Sequence, residues 1–576
     1  MLFLNAVGIT RPWDLRSYTG DGLALMTTRK LAYGYWHTER FLTHLVRADA
    51  ASPLTAALAG WTHDLWTPSL PSASAVYYVD GHRKAVYCDV LIPRGLIGRT
   101  GKILGCRALS LLHDEQGHPL LVTTARGDQH LTMGLPSLVS LFETVVSTVQ
   151  AERMVVDREG MAGDFLAALA RAGRTVVTLL RSDQYTGVES FSDVGPFVPL
   201  DHDRHGAVIR EVAPARFALA IPSEKGASLS LTVALIRDLR HLVPCAVPDD
   251  EEPRPWYDDL PDRYAWWSDP AWQGVPAPRP AAAPKLIPIV TTALEADPVE
   301  LVHRYTARWP VQENNIKDWL LPLGLDTNHG FAKTPVVNSE VASRREALER
   351  RLENIRRWGA KAKERSHQAS LLSTRLWRET KDWGEAQYRE LDRFAQTVED
   401  PLRCGVKHHP QVAERKATID AQLQKRWDRY HRVFARSNQE HDKHERYCRE
   451  QRTLLRALED LASQERLMYE IHHDKDQIMS VCKVALANLG MWVRDRYFPA
   501  SYAHATWKRL APFFRLPGRI TWGKDMVIVE LYPFNDRSLN RDLAEICRHV
   551  EAKPLHMPDG RQVRVIAASR PETRAK

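Results

Sequence analysis

The switching of hydrophobic period between residues 75 and 180 most restricts what this chain can become. Ala75-Val-Tyr-Tyr-Val79 is a β-rich run, and Ala85 to Ile92 is another. Arg107 to His113 and Pro119 to Thr124 flank the turn-forming Asp114-Glu-Gln-Gly117, which is a hairpin signal. Leu135 to Val149 has helical spacing. Arg153-Met-Val-Val156 is a short strand of the buried type. Met161, Phe165, Leu166 and Leu169 are spaced for another helix, which Gly173 can close. Thr175 to Leu180 is again a strand. This order of strands and helices predicts an α/β unit: a mixed sheet with helices on its faces.

At 576 residues the chain is too long for a single core. Residues 1–72 read as an N-terminal helical region, in which Leu23 to Leu58 carries apolar residues at helical spacing. Residues 73–185 form the first part of the sheet core. Residues 186–284 read as an inserted subdomain with weak strand signals at 207–212 and 216–221. It ends in a linker, Val243 to Pro284, rich in Pro, Asp and Trp. Residues 285–335 return to the core with a strand, Leu286 to Thr292, and a helix. Asp297 can cap that helix, Pro298 suits its first position, and Glu300 can complete a capping box; the helix continues through Leu320. Residues 336–480 predict long charged helices broken near Pro401 to Pro410. Leu348, Leu352 and Ile355 form a short heptad seam, and an antiparallel hairpin is favoured over a dimeric coiled coil. Residues 481–576 read as a C-terminal α+β region.

No run of eighteen apolar residues occurs, so no spanning helix is expected. Met1 to Pro12 lacks a basic region and a clear cleavage site, so no signal peptide is expected. Seven scattered cysteines with no CxxC pair argue against a zinc ribbon and a secreted disulfide framework. A reduced, cytosolic protein is the expectation. The net charge of +8 permits a polyanionic partner without requiring one.

Two acids stand out by position. Asp80 closes the run Val76 to Val79, and Asp157 closes Met154 to Val156. Each is expected at the C-terminal end of a strand, where side chains converge in a crevice. Paired acids suit phosphodiester chemistry, because two Mg²⁺ ions about 3.5–4 Å apart activate the attacking oxygen and stabilise the leaving one. One such Asp alone is more often a turn or N-cap residue. Asp89, Asp114, Asp128, Asp183 and Asp201 take that plainer reading. A third acid would complete the cage, and the segment Tyr305-Thr-Ala-Arg308-Trp309-Pro-Val-Gln312-Glu313-Asn-Asn-Ile-Lys317 supplies one.

Asp80-Gly-His, Val156-Asp157-Arg-Glu-Gly and Tyr305-x-x-Arg308-Trp309 followed by Glu313 resemble the insertion-sequence DDE transposases with a Tyr-Arg-Glu-Lys signature. The resemblance covers about residues 75 to 330, with the insertion poorly matched. It implies an RNase H-like catalytic core. Asp80, Asp157 and Glu313 would bind Mg²⁺ or Mn²⁺, and Tyr305, Arg308 and Lys317 would contact DNA. The implied reaction is cleavage at the ends of a mobile element and 3′-hydroxyl strand transfer into target DNA. The implied partners are double-stranded DNA and a second copy of the chain, in the prokaryotic nucleoid, with no membrane. Two departures stand beside it. Four residues separate Arg308 from Glu313 where the family has three, and the family's spacing lands on Gln312; its later Lys falls on Leu320. Five positions on an α-helix rotate about 500°, so Arg308 and Glu313 need a bend or bulge at Pro310 to align. An inactivated or co-opted DNA-binding relic and a purely hydrolytic RNase H-like nuclease remain the alternatives.

Other features take plainer readings. His82 either orients Asp80 or is structural. His408-His409 and His472-His473 have no partners at zinc-finger spacing. The arginines at 344, 345, 350, 351, 356 and 357 have acidic neighbours for intrahelical pairing, with DNA phosphates an equal possibility. Trp256, Trp266, Trp267 and Trp272 read as packing of the insertion rather than as base-stacking groups.

Overall fold

The structure is a computed structural model and describes residues 1–19, 32–66, 75–98, 100–244, 282–398, 409–463 and 467–568. The four tryptophans of the insertion, most of its linker and His408 lie outside the described residues. The chain divides into two compact units: residues 1–334 with 469–576, and residues 335–468. The second unit ends at Met468, not near 480.

The first unit begins with helices α1 (Leu2–Ala6), α2 (Tyr35–Arg47) and α3 (Ala51–Trp66). Strands β1 (Val76–Ala85), β2 (Arg94–Ile97), β3 (Lys102–His113) and β4 (Pro119–Arg126) follow, then α4 (Leu131–Val145), β5 (Arg153–Val156), α5 (Gly163–Arg171) and β6 (Thr175–Leu179). Strands β7 (Val198–His202), β8 (Val208–Ala220), β9 (Ser228–Pro244) and β10 (Ala282–Thr291) complete a ten-stranded sheet. Its order is β2-β3-β1-β5-β6-β10-β9-β8-β7, with β4 also on β3. β1, β5 and β6 run parallel, while β3 is antiparallel to both β1 and β4. The unit is therefore mixed α/β, with helices flanking a large mixed sheet.

Burial explains the centre. Met154, Val155 and Val156 are covered on both sides, as parallel strands between helix layers must be. Leu135, Leu138 and Phe142 of α4 and Leu166 of α5 pack on one face of the sheet; Leu301, Val302 and Tyr305 pack on the other.

Several expectations are corrected. Ala85 to Ile92 is not a strand: β1 ends at Ala85, and Val86, Val90 and Ile92 instead pack beside Tyr469 and Ile471. The region 186–284 does not stand apart as a subdomain among its described residues. β7 to β9 extend the core sheet through β10. The two weak signals at 207–212 and 216–221 are one strand, β8. The alternation Leu229, Leu231, Val233, Leu235 builds the long strand β9. Asp114 is a turn acid as expected, accepting from the Gln116 and His118 N–H groups.

After β10, α6 (Pro298–Thr306) begins where expected. The Asp297 carboxylate accepts the Glu300 N–H at 3.0 Å, and Pro298 is the first helical residue. Glu300 pairs with Arg304 rather than closing a capping box. Asp297→Ala is expected to cost about 1 kcal/mol in urea unfolding. A loss below about 0.3 kcal/mol would show that the cap is idle. Helix α9 (Asp474–Tyr497), α10 (Trp507–Phe514) and a four-stranded sheet with α11 (Arg537–Ala552) complete this unit.

The second unit is a hairpin of α7 (Ser339–Thr397) and α8 (Pro410–Ser463). Arg351–Glu450, Ser366–Ser437 and Tyr388–Asp420 contacts set the antiparallel register. Leu352 and Ile355 are buried against Leu454, so the heptad seam is intramolecular. Intrahelical pairs occur along both helices, among them Arg375–Glu379, Arg389–Glu385 and Lys443–Glu440. Arg350 pairs with Glu346, and Arg351 crosses to Glu450. No helix among the described residues is long and apolar enough to cross a membrane.

Candidate active site

Register brings the first two acids together. The parallel pairing of β1 and β5 runs from Val76↔Arg153 to Val79↔Val156. Asp80 and Asp157 are the next residue on each strand. Asp157 leaves β5 there, as expected. Asp80 does not end its strand: β1 continues to Ala85 against β3, with Asp80 opposite Leu111. The reason is that β3 is longer than β5, so β1 keeps one partner after losing the other. Asp157 also fills the N-cap role of the plainer reading, its Oδ1 accepting the Arg158 N–H at 2.6 Å.

The third acid arrives through an irregular helix. Beyond α6, Trp309–Glu313 forms a π turn, and the Asn314 N–H reaches back to the Trp309 carbonyl. Pro310 has no N–H to give to the α-helical ladder, which favours the wider turn. A π turn closes over five residues rather than four. The five-residue separation of Arg308 and Glu313 thereby becomes one turn, and Arg308 Nη2 lies 2.8 Å from Glu313 Oε1. Gln312, four positions after Arg308, is turned inward and is 0% exposed. Its Oε1 accepts from Arg308 Nε at 3.3 Å, and its Nε2 has no partner among the described residues. The irregularity anticipated at Pro310 is a π bulge, and Glu313 rather than Gln312 shares Arg308 with Asp80 and Asp157.

Arg308 is the common partner. It donates from Nη1 to Asp157 Oδ1 at 2.9 Å, and its Nη2 lies 3.7 Å from Asp80 Oδ1. Its Nη1 also reaches the Tyr305 hydroxyl at 3.5 Å. The guanidinium side chain is 6% exposed, against 13% for Asp80, 41% for Asp157 and 34% for Glu313. The site is thus a half-open acidic cleft with a cation at its base. Burial opposes the charge on Arg308, but Asp80, Asp157, Tyr305 and Glu313 together hold its pKa above the ordinary value. Asp80 moves the other way. Burial pushes its carboxyl up to about 6, with Asp157 and Glu313 adding to the rise and Arg308 and His82 opposing it. Burial likewise raises the Tyr305 phenol.

Two residues near the cleft escaped sequence reasoning as site residues. Asp326 lies 2.5 Å from His82 Nε2, so His82 is held by Asp326. The two-residue period of β1 puts Asp80 and His82 on one face, but it does not point to Asp326. Glu159, directly after Asp157-Arg158, belongs to the scaffold: it pairs with Arg83 at 2.6 Å. Lys317 is exposed beyond Glu313, on a second π segment, Ile316–Leu320.

Three carboxylates are hard oxygen donors of the kind Mg²⁺ and Mn²⁺ prefer, and burial, the main cause of the upward shift of Asp80, disfavours its bare charge. The donor set fits a divalent ion. As the side chains stand, however, no group of three or more His, Cys, Asp or Glu among the described residues is placed to hold a metal. Arg308 bridges the three acids instead. No protein-family model matches the chain, and no curated protein matches its sequence.

The Asp80 shift has a stability consequence. Its folded pKa lies above that of an unfolded aspartate, so folding favours the protonated form. The penalty is absent below about pH 4, grows as pH rises towards 6, and is full above it. Asp80→Asn is expected to be more stable than wild type at pH 7–8, by about 2–3 kcal/mol at most. The advantage should vanish near pH 3.5. Equal stabilities at both pH values in chemical denaturation would remove the strained-acid account.

Proposed function

We propose that this chain is a DDE-type transposase with an RNase H-like core, acting on DNA phosphodiesters at the ends of a mobile element. The observation that carries the reading is the meeting of Asp80, Asp157 and Glu313 on one buried guanidinium, from three distant segments. It is supported by the five-strand set β4-β3-β1-β5-β6, in which β3 alone runs against the others, with the two Asp side by side at its centre.

In this reading Asp80, Asp157 and Glu313 would hold Mg²⁺ or Mn²⁺. Bound there, the ions would supply an activated oxygen nucleophile and charge neutralisation at phosphorus. Asp80, whose charge burial opposes, would gain from a bound cation. Arg308 turns from the carboxylates towards a phosphate oxygen, for which its planar fork is suited. Tyr305, packed beneath it, limits how far the guanidinium can swing. Asp326 fixes the His82 ring at the rim. Lys317 lies exposed for a backbone contact further along the strand.

The test is a labelled duplex carrying the flanking repeats of the encoding element, incubated with the full chain and Mg²⁺ or Mn²⁺. Nicking at the repeat ends followed by joining of an added 3′-hydroxyl end supports the transposase. Nicking without joining identifies a purely hydrolytic nuclease. A second reading, a DNA-binding relic, is favoured by Arg308 already satisfying all three acids. It predicts retardation of the duplex with no cleavage and no Mn²⁺ uptake by calorimetry.

A further inference from the structure

The excess positive charge of the chain is concentrated in the helical hairpin. Helix α7 carries fourteen Lys and Arg against ten Asp and Glu, and α8 carries twelve against nine. These two helices thus hold +7 of the chain's +8. The concentration is sharpest from Arg344 to Arg365, with nine cations and four acids.

Within that stretch the structure separates bound cations from available ones. Arg351 faces α8 through Glu450, and Arg350 is tied weakly to Glu346 at 3.7 Å. Arg356, Arg357, Lys361 and Lys363 are exposed and form no ion pair among the described residues. Arg357 donates only to Asn354. Arg365 is exposed and feels Glu440 at a distance. At about 100° per residue, Arg350, Arg357, Lys361 and Arg365 fall within an arc of roughly 80° on one face. Asn354, within this arc, is neutral, while Glu364 and Glu353 lie about 20° and 40° beyond its edge. Leu352, Ile355, Gly359, Ala362 and Ala369, the buried seam, lie on the other side of the helix.

Such a face does not serve the helix itself. Arg357, Lys361 and Arg365 succeed one another at i, i+4 spacing, where like charges destabilise a helix by a few tenths of a kcal/mol per pair. A ladder of exposed, self-repelling cations is relieved by a polyanion whose charges repeat along a line. From Arg350 to Arg365 the face runs about 22 Å at 1.5 Å per residue, enough to follow several phosphates of a duplex backbone.

We infer that this face of α7 is a duplex-DNA backbone contact, in which Arg357, Lys361 and Arg365 each neutralise a phosphate. The inference rests on the DNA-processing reading for its choice of partner, but not on the chemistry of the acidic cleft. It makes the hairpin a binding arm without sequence readout, because phosphate contacts carry none.

The test measures affinity of the full chain for a random-sequence 30-base-pair duplex by fluorescence anisotropy across salt concentration. Wild type is compared with the triple variant Arg357→Gln, Lys361→Gln, Arg365→Gln. Glutamine keeps helix propensity and removes the repulsion, so helicity and melting temperature should hold or rise slightly. The slope of log K against log salt is expected to become shallower by roughly 2.7, about 0.9 for each lost contact. A change smaller than about one contact overturns the inference. So does an equal change in the control Lys381→Gln, Arg389→Gln, whose cations are already paired with Glu385. A slope change seen only with an RNA duplex would assign the arm to RNA instead. Asp157→Asn should leave the slope unaltered. Loss of nicking with an intact arm therefore separates failure of the cleft reading from failure of this one.

Discussion

Glu313→Gln is expected to abolish metal-dependent cleavage, by a factor of a thousand or more, while duplex retardation and folding persist. The side chain is 34% exposed and contributes to the core only through Arg308, so the fold does not depend on its charge. Its loss leaves Asp80 and Asp157 as the anionic donors, and several kcal/mol of transition-state stabilisation correspond to about three powers of ten. Gln312→Glu makes the contrasting case. That position is fully buried, so an added carboxylate there must be desolvated beside a guanidinium already engaged by three acids. It should destabilise the protein by several kcal/mol and leave cleavage per folded molecule largely intact. If instead Glu313→Gln cleaves normally, or Gln312→Glu folds well and cleaves faster, the π-turn alignment of Glu313 is wrong.

The second large effect is structural. Asp476 on α9 is fully buried and accepts from Lys84 Nζ at 2.6 Å and from the His329 N–H at 2.8 Å, with Arg107 Nη1 at 3.5 Å. Lys84 and Arg107 are themselves buried on β1 and β3, and burial lowers both of their pKa values. Lys483, nearby on α9, is pushed down to about 7, first by burial and then by Lys84. One carboxylate thus anchors a cationic cluster that ties α9 to the strands behind Asp80. Asp476→Asn is expected to lower unfolding free energy by about 3–5 kcal/mol, because two buried cations lose their counter-charge. Lys84→Met in the same background should recover part of it, giving a coupling above about 1 kcal/mol in a double-mutant cycle. Additive single effects would show that the cluster is not a unit.

Much of the fold was legible because it is written locally. The hairpin around Asp114, the buried strand before Asp157 and the cap at Asp297 each follow from spacing and turn chemistry within a few residues. The antiparallel seam of Leu352 and Ile355 was readable for the same reason. The long strand β9 is marked by its alternation alone, and Asp326 carries no local mark of its place beside His82. Asp80, Asp157 and Glu313 could be named one by one from their neighbours.

What the amino-acid order could not determine alone was which acids share a cleft and what stands between them. The choice between Gln312 and Glu313 turns on the pitch of one helical turn, and Pro310 permits a wider pitch without requiring it. The meeting with Asp80 and Asp157 depends on the β1–β5 register, and the charge of Asp80 depends on burial by segments hundreds of residues away. Propensity and capping are nearest-neighbour effects, so sequence spacing reveals them. Desolvation and long-range ion pairing depend on distances set only when the sheet, the π turn and their covering helices close together.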